Sequence, residues 1–164
     1  MPALNFKRID LDLLEPEFRD QQFELISNCL NRGFSYHATR GFDTYGAQMA
    51  LWAKGRTTPG PRVTNAKGGQ SAHNFGLAVD YVLDKDQKVA GIQPDWQVEA
   101  YRVLVEEAQK LGLHSGVGYR DYPHVGKAGF VTAKDMLPLH VVWENSTGDT
   151  LTKLKAVWDS IPHE

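Results

Sequence analysis

The sequence is short of the features that mark several large protein classes. Its 164 residues include one cysteine, Cys29, so no intrachain disulfide can form and a reducing site of folding is expected. Cys29 lies in ELISNCLNRG at helical spacing from Leu25 and Ile26, which is the pattern of a buried core thiol. No apolar run approaches the ~20 residues a membrane helix needs, so no membrane insertion is expected. The opening MPALNFKRIDLDLLEPEF carries charge too early for a signal peptide, so synthesis in the cytoplasm is expected. There is no basic tract, and the formal net charge is -2, which removes the electrostatic basis for nucleic-acid binding. Internal repeats, heptads and low-complexity tracts are also lacking.

What remains is ordinary globular composition, with 41% hydrophobic and 23% charged residues. The length suits one domain over residues 1–164. Apolar spacing from Glu15 to Asn31 predicts a helix ended by Gly33, followed by a short strand over Phe34 to Thr39. Thr44 reads as the N-cap of a helix through Tyr45 to Lys54, closed by Gly55. Strand character returns from Gly76 to Leu83, and a DKDQK turn before VAGI suggests a hairpin. An amphipathic helix is expected from Trp96 to Leu111, a strand around Leu139 to Trp143, and a final helix from Thr150 to Ile161. These elements alternate without βαβ regularity, which implies an α+β fold: a small, mostly antiparallel sheet flanked by helices.

Between Arg56 and Ser71 the composition changes. RTTPGPRVTNAKGGQS combines Pro59 and Pro61 with glycines, so it forms an irregular loop, and loops of this length inside compact domains are usually functional. Directly after it comes Ser71-Ala-His73-Asn-Phe-Gly76-Leu-Ala-Val-Asp80. A carboxylate inside a strand as apolar as GLAVDYVL needs a partner, because burying it alone costs several kcal/mol. An arginine could be that partner, leaving His73 as a plain loop residue. A metal shared by Asp80 and His73 is the other reading, since zinc favours such nitrogen and oxygen sets. Arg120-Asp121-Tyr-Pro123-His124 adds a second imidazole and carboxylate, which could converge if the chain bends at Pro123. His140, in LPLHVVW, competes with His124 as a ligand but reads better as a core histidine. His163 is assigned to a frayed tail.

These segments resemble a known family. SAHNFGLAVD fits the signature of the zinc D-alanyl-D-alanine carboxypeptidases. ALWAKGRTTPGPRVTNAKGGQSAHNFGLAVDY, with DYPHV after it, is similar more narrowly to the L-alanyl-D-glutamate endopeptidases of phage endolysins and bacterial wall hydrolases. The resemblance runs from about Phe34 to Val125. It implies that His73, Asp80 and His124 bind Zn2+ and that Asp121 is the general base. It also implies that Ser71 lies in the site near the metal and that the substrate is a peptidoglycan stem peptide. Gln70, at the end of the long loop, and His114, in a glycine-rich stretch, are candidates to line the substrate groove, with a solvent-exposed loop residue as the other reading of His114. Where the family carries Gly-aromatic-Arg after its first strand, this chain reads Arg40-Gly41-Phe42-Asp43, so Arg40 is the candidate for the missing arginine's catalytic role. The function expected is cleavage of the L-Ala-D-Glu bond by a monomeric enzyme acting on the cell wall, in the host periplasm if it is a phage endolysin. The alternatives are a D-Ala-D-Ala carboxypeptidase or dipeptidase, and a non-catalytic wall-binding domain stabilised by metal.

Overall fold

Phe18, Leu25, Ile26 and Cys29 recur at helical spacing, and their segment forms α1 (Pro16–Asn31) in the computed structural model, which describes residues 2–162. Pro16 starts the helix where its missing N–H costs nothing, and Glu15 Oε2 accepts from the Phe18 N–H at 2.7 Å. The strand after it, β1 (Ser35–Arg40), runs antiparallel to the central β2 (Ala78–Asp84). Along β2 the side chains alternate between faces. Val79, Tyr81 and Leu83 enter the core beneath α1 and α3 (Arg102–Lys110), together with Leu25, Ile26 and Leu104. The other face carries Asp80.

On the edge of β2 away from β1, a two-residue β3 (Pro94–Asp95) pairs with the end of β2, and β5 (His124–Gly126) pairs with its beginning and carries β4 (His114–Ser115) outside it. The strand order is β1-β2-β5-β4, and every pairing is antiparallel. This is the α+β architecture expected. Among the described residues no helix is long and apolar enough to cross a membrane. His163 lies outside them.

Three expectations need correction. The strand read around Leu139 to Trp143 is the second half of a helix, α4 (Ala133–Glu144). Pro138 makes that segment look non-helical, but Thr132 and Asp135 form a reciprocal capping box that starts the helix, and Met136 and Leu139 bury its inner side. The hairpin expected at VAGI shrinks to β3, since the turn after Asp84 is held by its carboxylate rather than by a strand ladder: Asp84 Oδ1 accepts from the Asp86 and Gln93 N–H groups. The helix expected from Trp96 opens instead as a 3-10 turn over Val98–Tyr101 and becomes α-helical at Arg102.

A second, smaller core joins α4 and α5 (Thr150–Asp159) to a 3-10 turn, Ala72–Phe75, just before β2. Trp158 of α5 donates from Nε1 to the Phe75 carbonyl at 2.7 Å, which pins that turn from below. Gly76 ends the turn in the left-handed region at φ 66, and a Cβ there would collide with the Leu13 carbonyl oxygen. Gly76→Ala therefore combines left-handed strain with a backbone clash and should lower stability by roughly 2–4 kcal/mol. Urea unfolding followed by tryptophan fluorescence checks this, and an unchanged midpoint contradicts the packing described.

Candidate metal centre

The site is built by strand register. β1 carries an irregularity between Ala38 and Arg40, so that Arg40, not Thr39, stands opposite Asp80. On the other side of β2, Asp80 pairs with His124 of β5. Arg40, Asp80 and His124 thus form one row across three strands. His73 arrives from the 3-10 turn beside them. Its backbone carbonyl accepts from the Asp43 N–H at 3.0 Å, and its ring Nδ1 lies 2.8 Å from the Gly41 carbonyl oxygen. A carbonyl can only accept, so Nδ1 carries a proton and Nε2 faces inward, where a neutral ring offers its lone pair.

His73 Nε2 is 3.3 Å from Asp80 Oδ1 but is not aligned for a hydrogen bond, so this buried nitrogen has no partner. His124 Nδ1 lies 3.1 Å from the same oxygen. Three donor atoms, one each from His73, Asp80 and His124, fall within 4.8 Å of one another. Ligands at zinc distances in a tetrahedron stand roughly 3.3 Å apart, so the spacing and the nitrogen and oxygen set both fit that ion. The orphaned lone pair on His73 gives an independent reason for one.

Burial alone would raise the Asp80 carboxyl, but positive charge on the adjacent His73 and His124 rings, when they are protonated, holds it well below the usual carboxylate range. Its second oxygen accepts from Arg40 Nη1 at 3.5 Å. Arg40 also donates from Nε to Asp43 and from Nη2 to Gln48 Oε1 at 2.9 Å. Its guanidinium is therefore spent on protein acceptors, and it borders a separate hollow with Ile9 and Asp10. Asp43, at the position of the family's arginine, serves here as Arg40's counter-ion.

A cleft of about 530 Å³ opens over His124. Val63 to Ala66 with Gln70, and Val131 to Ala133, form parts of its wall. His114 and Asp121 line it too. Asp121 is fixed through its backbone, donating to the Gly116 carbonyl at 2.9 Å and accepting from the His124 N–H at 3.1 Å. Its neighbour Arg120 closes that turn in the left-handed region at φ 58. Desolvation in the cleft, reinforced by the negative charge of Asp80, raises the Asp121 carboxyl. Burial, then the nearby His124, lowers the His114 imidazole and favours its neutral form.

The structure thus brings His73, Asp80 and His124 together and sets Asp121, His114 and Gln70 along one cleft. Gln70 Oε1 accepts from the Lys67 N–H at 2.9 Å, which shapes the wall it lines. Ser71 is occupied as a cap, its hydroxyl accepting from the His73 N–H at 3.2 Å. His140 stands apart, with Nδ1 2.9 Å from the Tyr45 hydroxyl and its ring stacked on that residue. Sequence reasoning missed Asn74, whose amide joins the Gly69 N–H to the Asp43 and Thr44 carbonyls. The Ser-x-x-Asn spacing of a capping box was the signal for it. It also missed Gln48, whose Oε1 accepts from Arg40.

The chain belongs to the VanY family, described as D-alanyl-D-alanine carboxypeptidase, whose match covers residues 12–124. Within that relationship it is similar to the peptidoglycan L-alanyl-D-glutamate endopeptidase CwlK of Bacillus subtilis (strain 168). The identity is 34% over 125 residues, covering 68% of this chain and 72% of that protein. Among solved structures, the L-Ala D-Glu endopeptidase ChiX of Serratia marcescens aligns with a TM-score of 0.47 at 19% identity, covering 72% of this chain and 83% of that one.

Dialysis against zinc should leave one ion per chain. His124→Ala should lose that ion while staying folded. His140→Ala should keep it and melt at a lower temperature, since it gives up the Tyr45 contact. Zinc analysis beside thermal unfolding decides the matter, and the opposite pattern would transfer the ligand role to His140.

Proposed function

We propose that this chain is a zinc-dependent peptidoglycan endopeptidase that cuts the L-Ala-D-Glu bond of the stem peptide, with residues 1–164 acting as one catalytic domain. The observation that carries this reading is the unpartnered, inward-facing Nε2 of His73 beside Asp80 and His124, under a cleft that also holds Asp121. The named activity of the Bacillus subtilis relative supports the bond chosen. The resemblance to endolysin members supports a lytic role on a bacterial wall.

His73, Asp80 and His124 would hold the ion, leaving a fourth position open to solvent in the cleft. The chemistry such an ion supplies is polarisation of the peptide carbonyl and acidification of a water. Asp121 accepts a proton from the attacking water as its oxygen bonds to the carbonyl carbon. When the carbon–nitrogen bond breaks, Asp121 returns that proton to the leaving amine. A raised carboxyl suits this exchange, because it can release the proton as well as take it. Arg40 acts as a positioning residue: by holding one Asp80 oxygen it leaves the other to the two imidazoles. The wall from Val63 to Ala66 borders the stem peptide.

Mass spectrometry of purified peptidoglycan after digestion tests the reading. New amino groups on D-Glu and free L-Ala carboxylates are expected. Release of terminal D-Ala would move the chain to the carboxypeptidase reading, and zinc uptake without any product would leave a binding domain. Asp121→Ala should retain zinc and lose roughly 10²–10⁴-fold in turnover. Loss of zinc in that variant would make Asp121 a ligand instead of the base.

A further inference from the structure

Gln48 is the only fully buried residue of α2 (Tyr45–Ala53), at 1% exposure. Helices usually bury an apolar side chain at such a position, so an amide there needs both ends satisfied. Gln48 meets that demand in two directions. Its Oε1 accepts from Arg40 Nη2 at 2.9 Å, and its Nε2 donates to the Ala66 carbonyl at 2.8 Å. Arg40 in turn donates to Asp80 Oδ2, while Asp80 Oδ1 faces His73 and His124. Ala66 belongs to the cleft wall. A continuous run of polar contacts therefore joins the wall to the metal-binding carboxylate through one buried amide.

The wall depends on such ties because it has little core of its own. Val63 is 54% exposed, and the next residues are held by short polar contacts: the Ala66 N–H bonds to Thr64 Oγ1, and the Gly68 N–H to Met49 Sδ. Arg56 provides a second anchor, donating to the Thr64 carbonyl at 3.0 Å, but it has no bond to the His-Asp-His cluster. Asn74 ties Gly69 to Asp43 and so to the backbone of His73, but the run from Ala66 to the Asp80 carboxylate passes through Gln48.

We infer that Gln48 is a positioning residue that couples metal binding at Asp80 to ordering of the substrate wall. The inference rests on the proposed ligand set of His73, Asp80 and His124. An ion at Asp80 Oδ1 fixes the carboxylate, which fixes Arg40 through Oδ2, and Arg40 then holds the Gln48 amide against Ala66. Reciprocity follows from linkage: if zinc orders the wall, losing the wall anchor weakens zinc.

Hydrogen exchange of the full chain, read by mass spectrometry over residues 63–68 with and without zinc, tests this, using the remote 85–92 turn as an internal reference. In wild-type protein zinc should slow exchange across 63–68 by roughly fivefold or more, with no change at 85–92. Gln48→Leu removes both bonds and should abolish that protection, with zinc affinity falling by a similar factor. Gln48→Glu keeps the acceptor for Arg40 but loses the donor to Ala66, and it secures the test if the leucine variant fails to fold. It too should bind zinc without protecting the wall. Zinc uptake by wild type with no selective slowing, or full protection in Gln48→Glu, overturns the coupling while leaving the ligand set intact. A wild-type chain that takes up no zinc removes both.

Discussion

Asp80 is a carboxylate in the central strand of the sheet, and its interactions set the terms for everything around it. A charge at that position, with its side chain 19% exposed, must be matched from every side or it becomes neutral. The fold meets this need by dividing the two oxygens. One faces His73 and His124, and the other accepts from Arg40. The register irregularity in β1 gives the arginine its place in the row, and the pairing of β2 with β5 supplies the second histidine.

The rest of the architecture holds the first histidine. His73 sits on a single 3-10 turn, an element with little stability of its own. That turn is therefore fastened from three sides: by Gly41 and Asp43 after β1, by the Ser71–Asn74 capping box, and by Trp158 of α5 from below. The C-terminal helices thus contribute to the site without reaching into it. Their small core fixes the carbonyl of Phe75, two residues from the ring that faces Asp80. The cleft walls are less constrained. One is an irregular loop held by side-chain amides and a guanidinium, as a surface that must admit an extended substrate requires.

Much of this was legible in the sequence because it follows local rules. The buried strand around Asp80, the loop rich in glycine and proline before it, Thr44 as an N-cap and the helical period of α1 each leave a pattern within a few residues. The grouping of His73, Asp80 and His124 was legible through the family resemblance, which rests on two short motifs, one running from the 3-10 turn into β2 and one ending at the first residue of β5. Pro138 misled the reading of α4, where a capping box six residues earlier outweighs the cost of a proline. Arg40 could be named but not aimed, because a one-residue shift in β1 decides which residue meets Asp80. Gln48 left no signal at all. A glutamine on a short helix looks like surface until its partners, 8 and 18 residues away, are known.

We propose that His73 Nε2, Asp80 Oδ1 and His124 Nδ1, whose residues cluster in the folded chain, form a three-donor metal site with its fourth position open. An anomalous difference map from zinc-soaked crystals, collected across the zinc edge, tests it most directly. One dominant peak bounded by those three atoms is expected, at roughly 2.0–2.2 Å from each, with no fourth protein ligand. A peak that leaves His73 Nε2 bare, or one closed off by Asp121, His114 or any other side chain, would contradict it.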